Sequence, residues 1–180
     1  MLETALRAAK VGDRDLLAAM DELAAPIYIT DRDGLITYYN RACIAFAGRT
    51  PVIRHDRWCV TWKLYTLEGE ALPHDQCPMA VAIRERRAVR GTQAVAERPN
   101  GSRIHFVPYP TPLFDDEGGL AGAVNLLVDV TEREQARYLR EQAARCRRLA
   151  GSVGDQRTIA TLRGMAIEYD ERAVQIEQPN

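Results

Sequence analysis

Apolar residues recur along this chain at two different periods, and the switches between them divide it into three parts. Near the start, Leu16, Leu17, Met20 and Leu23 follow one another at helical spacing, with Asp13 or Asp15 placed to cap the helix and Pro26 to stop it. Leu2, Ala5, Leu6 and Ala9 predict a weaker helix before it. Between Pro26 and Thr131 the period shortens to two. Runs at 27–30 and 35–39, 61–65 and 71–72, 92–97 and 103–113, and finally 120–130 are separated by glycine-bearing turn signals at 31–34, 67–70, 99–102 and 115–119. Such runs pair as hairpins in a mostly antiparallel sheet. Two stretches of helical pattern interrupt them, 41–47 closed by Gly48 and 77–87 preceded by Asp75 as a cap. The last part opens with Thr131 and Glu134 at capping-box spacing. Ala136, Leu139, Ala143, Cys146 and Ala150 then alternate three- and four-residue steps, the spacing of a seam against another helix. Gly151 and Gly154 break that pattern, and Ile159, Leu162, Ala166, Tyr169, Ala173 and Ile176 resume it. The tail therefore reads as two helices that pair as a hairpin or across a dimer.

A length of 180 residues, 46% hydrophobic and 27% charged, suits one ordinary domain with a core and a short appendage. A net charge of -1 creates no overall field toward nucleic acid or anionic lipid. The longest apolar run, 120–128, falls far short of the ~20 residues of a membrane span. With no secretory pattern at the start, the expectation is a cytoplasmic protein with no membrane and no nucleic-acid partner. The four cysteines, Cys43, Cys59, Cys77 and Cys146, form no Cys-x-x-Cys pair and read as reduced thiols.

The order of elements, and above all Asp129-Val-Thr131-Glu-Arg at the end of the last strand, resembles a PAS sensory domain. In that family an Asp-Val-Thr or Asp-Ile-Thr closes the sheet and Glu-Arg opens a signalling helix. Ile29, Thr30 and Asp31 with Gly34, then Tyr39 and Asn40, are similar to the family's first hairpin and its following asparagine. Phe46 and Gly48 match its Phe-x-Gly, and Pro99 to Gly101 with 111–118 resemble the turns around its last three strands. The likeness covers about 16–135, and the stretch 72–79 resembles PAS modules found in front of bacterial sensor histidine kinases. The resemblance implies an α+β fold: a PAS-like five-stranded antiparallel sheet with flanking helices, plus an N-terminal helix and a C-terminal helical hairpin. The expected organisation is a helical cap at 1–25, a PAS domain at 26–131, and a signalling and dimerisation segment at 132–180. No histidine follows His105 and no glycine-rich nucleotide loop is present, so this chain carries no autokinase chemistry.

Side-chain chemistry points the same way. His55 with Cys59 and His74 with Cys77 offer nitrogen-sulfur pairs at four- and three-residue offsets, but nothing in the spacing brings the pairs together. The helix at 77–87 lacks the axial histidine of haem-binding relatives. Cys59 is followed by Val-Thr-Trp-Lys rather than by the flavin-adduct motif Arg-Phe-Leu-Gln. No nucleophile elbow appears, and the carboxylate pairs Asp31/Asp33 and Glu68/Glu70 sit in turns, so no catalytic residue, no metal ligand set and no specific cofactor is assigned. The arginines at 133, 137, 140, 145, 147 and 148 are diluted by Glu132, Glu134 and Glu141 and read as a solvated helix face.

Period two selects the face of a small-molecule site. Placing Asn125 and Leu127 inward turns Phe106, Pro108, Tyr28, Thr30 and Tyr38 inward too. Asn125 must then find a partner, which is a ligand, or else Tyr38, a backbone group or water. Outward Leu126, Val128, His105, Val107 and Tyr109 need a cover, either the first helix or a second copy. Pro108, Pro110 and Pro112 remove three amides from one side of a strand, so its pairing there should stop near Pro108. The functional expectation is a non-enzymatic homodimeric sensor that detects a small ligand or partner. It would relay the change through Asp129, Thr131 and Glu134 to the C-terminal helix and a histidine kinase or other signalling protein. The alternatives are a haem- or metal-binding redox or gas sensor, and a structural dimerisation adaptor.

Overall fold

The computed structural model describes residues 14–178, so the expected helix through Leu2 and Ala9, and Asp13 as a cap, lie outside the described residues. The chain divides between Asp129 and Val130 into two compact units. The first contains α1 (Arg14–Asp21), the hairpin β1 (Ile27–Asp31) and β2 (Ile36–Tyr39), then α2 (Arg41–Ala47) and β3 (Lys63–Tyr65). A 3-10 turn at His74–Gln76 leads into α3 (Pro78–Glu85), followed by β4 (Ala94–Glu97), β5 (Arg103–Pro108), β6 (Thr111–Phe114) and β7 (Leu120–Asp129).

The local chemistry explains these boundaries. Asp31 accepts the backbone amides of Asp33 and Leu35 and so shapes the first turn, where Gly34 takes φ +82°. Gly48, at φ +65°, returns its amide to the Ile44 carbonyl and ends α2. For α3 the cap is Cys77 rather than Asp75, because Pro78 occupies the first helical position, where its missing amide costs nothing.

The strands form one sheet of seven in the order β2-β1-β7-β5-β4-β3, with β6 also on β7. Every pairing is antiparallel. Two features raise the number above five. The run at 61–65 yields a short edge strand, β3, and the run at 103–113 is cut by its prolines into β5 and β6. On the β4 side pairing ends at Ala94 opposite Phe106, as the lost amides require. On the β7 side Pro108 faces Leu127 and Thr111 faces Val124, so the two pieces track one strand on either side of the interruption.

One face of the sheet carries the main core: Tyr28, Ile36, Phe46, Leu64, Met79, Phe106 and Leu127 among others, roofed by α2 and α3. Phe46 meets Phe106 edge to face at 5.3 Å. The other face is covered over β1, β6 and β7 by Met20 of α1, packed on Ile29, Leu113 and Val124. Asn40, fully buried, fastens the two together. Its Nδ2 donates to the carbonyls of Met20, Leu23 and Ala25, and its Oδ1 accepts the Ile27 amide.

The second unit is a hairpin of α4 (Thr131–Ser152) and α5 (Gln156–Glu177). Ala136, Ala143, Cys146 and Ala150 of α4 and Ala166 and Ala173 of α5 are buried between them. Asp155 caps α5 by accepting the Thr158 amide at 2.8 Å. At the start of α4 the N-cap position is held by Val130, one residue earlier than the Thr131 capping box would have it. The Glu134 amide donates to the Val130 carbonyl, while the Glu134 carboxylate pairs with Arg137.

Candidate functional site

The inner face of the sheet holds a short string of polar groups among apolar neighbours. Tyr28, with no exposed surface, donates its hydroxyl to the Trp58 carbonyl at 2.9 Å. Asn125 Nδ2 donates to the same hydroxyl at 3.0 Å, and Asn125 Oδ1 accepts the Tyr109 amide at 2.9 Å. Both ends of the amide are therefore occupied within the protein. Asn125 bonds across the sheet to β1 and supports the backbone where the prolines interrupt pairing, and neither bond is made to Tyr38.

Tyr38 itself lies on the opposite face, which corrects its assignment as an inward residue. In register, Thr30 faces Ile36 while Ile29 faces Tyr38, so Thr37 is an extra residue in β2. The bulge moves every later side chain across the sheet. Tyr38 consequently packs beside Met20, Ile29 and Val124 and gives its hydroxyl to the Leu17 carbonyl, and Tyr39 takes the place against the inner core. Nothing in the alternation of β2 signals the extra residue.

Thr30, opposite Ala123 of the core, is 2% exposed, and its hydroxyl has no hydrogen-bond partner among the described residues. Phe106, Pro108 and Leu127 are buried, Phe106 and Leu127 within the main core. Asp129 ends β7 opposite Phe106, and Thr131 is the first residue of α4.

Trp58 and Thr61 are the contributors that pattern reasoning missed. Trp58 sits at φ +68°, a conformation unfavourable for a large side chain, which turns its carbonyl toward Tyr28 and lays its ring against Gly34. A Cβ on Gly34 would stand 2.2 Å from that ring, so the glycine is required for close approach as well as for its φ. The buried Thr61 hydroxyl contacts Cys59 Sγ at 3.1 Å, with His74 Nε2 3.5 Å away. A glycine opposite a tryptophan is a signal that needs the pairing of 34 with 58 to be known first.

Burial dominates the protonation of these groups. It holds the Tyr28 hydroxyl well above its ordinary range and pushes the Cys43 and Cys77 thiols up to about 12, with Cys59 raised as well. The three remain protonated thiols near neutrality. His74 is shifted down, first by burial and then by the Arg49 guanidinium. His55 projects into solvent beside Asp56, whereas Cys59 is buried. Among the described residues no three histidine, cysteine, aspartate or glutamate side chains converge in a way that would hold a metal.

A family model described as PAS fold matches residues 20–135. No curated protein matches the chain. Among solved structures, an RNA-binding light-oxygen-voltage receptor is similar at 22% identity and TM-score 0.54. The match covers 67% of this chain and 34% of that one, so the chain spans about a third of the receptor's length. A light-oxygen-voltage domain studied with a flavin analogue is similar at 16% identity and TM-score 0.51, over 75% of this chain and 98% of that one. The PAS domain of the fruit-fly ELK potassium channel is similar at 11% identity and TM-score 0.50, over 66% of this chain and 96% of that one. At these identities the likeness is one of fold. A curled antiparallel sheet roofed by short helices, together with a family match over more than half of the sequence, leads to one conclusion: the chain belongs to the PAS family.

Proposed function

We propose that this chain is a bacterial cytoplasmic sensor of signal transduction, acting as a homodimer. A small ligand or partner engages the inner face through Tyr28, Thr30, Phe106, Pro108, Asn125 and Leu127. The response passes along β7 to Asp129, Thr131 and Glu134, and α4 presents it to a histidine kinase or another signalling protein. The observation that carries this reading is the position of β7. It is bonded to β1 on one side and to β5 and β6 on the other, buries Asn125 and Leu127, and runs into α4 after the single residue Val130. A shift of Asn125 is thus a shift of the strand that starts the helix. The unpartnered Thr30 hydroxyl supports a polar ligand group at the β1 end of the face, since a buried hydroxyl without a bond is costly.

Hydrogen exchange tests the relay. Asn125→Ala should raise amide exchange in the first turns of α4, at 131–139, which lie outside the altered bonds. Exchange confined to β7 and its neighbours would overturn it. Native mass spectrometry of freshly purified protein tests the ligand directly through bound mass.

A second reading, a dimerisation adaptor with a filled core, is favoured by the fact that both ends of the Asn125 amide are bonded inside the protein. Deleting 138–180 separates the two. An adaptor loses its partner, whereas a ligand sensor retains its bound mass.

A further inference from the structure

Residues 54–58 line the outer edge of the sheet without forming a strand of it. β2 stands at one end of the strand order, bonded to β1 on its inner side. On its other side the Arg54 amide donates to the Ile36 carbonyl at 2.8 Å, the Ile36 amide to the Asp56 carbonyl at 2.9 Å, and the Trp58 amide to the Gly34 carbonyl at 2.7 Å. Leu35 and Arg57 face each other between the last two of these bonds. The segment thus lies along β2 as a strap that fills an open edge.

The strap is strained at both ends. Among the described residues three non-glycine residues take a positive φ, and two of them, Arg54 at +60° and Trp58 at +68°, bound this segment. Left-handed backbone lowers the closed population about fivefold or more at each such residue, and release from β2 relieves it. Little burial offsets that strain. Val52 and Ile53, which lead into the strap, are 52% and 50% exposed, and Arg54, His55 and Arg57 are exposed as well. The fastening comes from the ion pair of Asp56 with Arg49, the Trp58 ring against Gly34, and the Tyr28 hydroxyl, which donates to the Trp58 carbonyl. Tyr28, Ile36 and Cys59, all buried in the main core, are the residues next to it.

A segment with so little burial and stored strain belongs to the low end of the range of local stability. We infer that this strap is a lid: 54–58 leaves β2 as a unit, turning at its two left-handed residues, and admits small solutes to the inner face beside Tyr28. Opening takes the Trp58 carbonyl away from the Tyr28 hydroxyl, which keeps only its bond from Asn125. The state of the lid therefore reaches the amide that joins β7 to β1. What the lid admits rests on the ligand reading proposed above, whereas its motion does not. The ligand reading fails on bound mass, and the lid fails on the rates below.

Hydrogen exchange of the full chain, resolved amide by amide, tests the motion. The amides of Arg54, Ile36 and Trp58 should exchange together, about a hundredfold faster than that of Leu127, which bonds to Pro26 from the central strand. Leu35→Cys/Arg57→Cys staples the strap, since facing residues of such a pair lie within disulfide reach; oxidised, it should slow the three amides about tenfold or more, and reduction should restore them. Arg54→Gly should slow them about threefold and Arg54→Ala should not, because glycine alone takes this φ without cost. Treatment with N-ethylmaleimide followed by peptide mapping tests admission. Cys59 should be modified about tenfold faster than Cys43, and the oxidised staple should remove that lead. Exchange of the three amides only at the Leu127 rate, or at rates the staple leaves unchanged, overturns the lid. Collective exchange with Cys59 no faster than Cys43 overturns its role as an entrance. Should the staple fail to form, Arg54→Gly decides: unchanged rates overturn the lid and slowed rates support it.

Discussion

In the sheet unit the interior is made of large side chains, Phe46, Met79, Phe106 and Leu127, threaded by polar groups that bond one another, whereas the hairpin encloses little beyond alanine and one cysteine. The first kind of interior specifies its own geometry, since each ring and amide fits one place. The second leaves geometry to backbone spacing and exports its larger apolar groups to the surface. In the former, one displaced group disturbs several others.

Substitutions should separate the two interiors. The largest effect is expected from Phe106→Ala, which empties a site beside Phe46 and should cost about 3–5 kcal/mol by chemical denaturation. A loss below about 1 kcal/mol would mean that the sheet interior is as forgiving as the hairpin. Next, Asn125→Leu removes the bond to the Tyr28 hydroxyl and one of the two acceptors of the Tyr109 amide, the Leu126 carbonyl being the other. It should cost about 1–3 kcal/mol, with increased exchange at the Tyr109 amide as its local signature. Equal stability would show that the polar string does not organise the core.

Acid should reach the units at different pH. His74, which faces Arg49, Asp56 and Asp75, titrates below its ordinary value near 6.5 because burial and Arg49 disfavour its charged form. A group whose folded value is lowered contributes stability that is complete above 6.5 and is lost as pH falls through the folded value. The hairpin depends instead on carboxylates held low, Glu177 by Arg140 and Asp155 by Thr158, so its loss begins only below their ordinary values of 4.5 and 3.8. Segment-resolved hydrogen exchange from pH 7 downward should show the sheet unit loosening first, and a His74→Gln variant should abolish that early phase. Simultaneous loosening would erase the distinction. The smallest effect is expected for Arg147→Ala. Its exposed pair with Asp170 is worth up to about 0.5 kcal/mol, and the difference from wild type should shrink further in high salt.

Much of this was legible beforehand because it is local. Gly48 closing α2, the turns at Asp31 and Asp115, the helix opening at Thr131 and the alanine repeat are all written within a few residues of where they act. The proline interruption was legible for the same reason, since a missing amide acts at its own position. Of the inner-face residues, Tyr28, Thr30, Phe106, Pro108, Asn125 and Leu127 do lie buried, but Tyr38 does not belong with them. A single extra residue, Thr37, inverted its face, and its effect on β2 appears only in the register with β1.

By itself, then, the sequence determined most turns and helix stops, and that a PAS-like sheet precedes a pair of helices, because these depend on neighbours in the chain. Tertiary structure alone decided that Asn125 would spend its amide on Tyr28 and Tyr109, that the Trp58 carbonyl would face Tyr28, and that Asn40 would hold α1 to the sheet. Those bonds join residues 13 to 97 positions apart, and a hydrogen bond is directional over only about 3 Å. No spacing rule written along the chain can anticipate which distant groups will come within that reach.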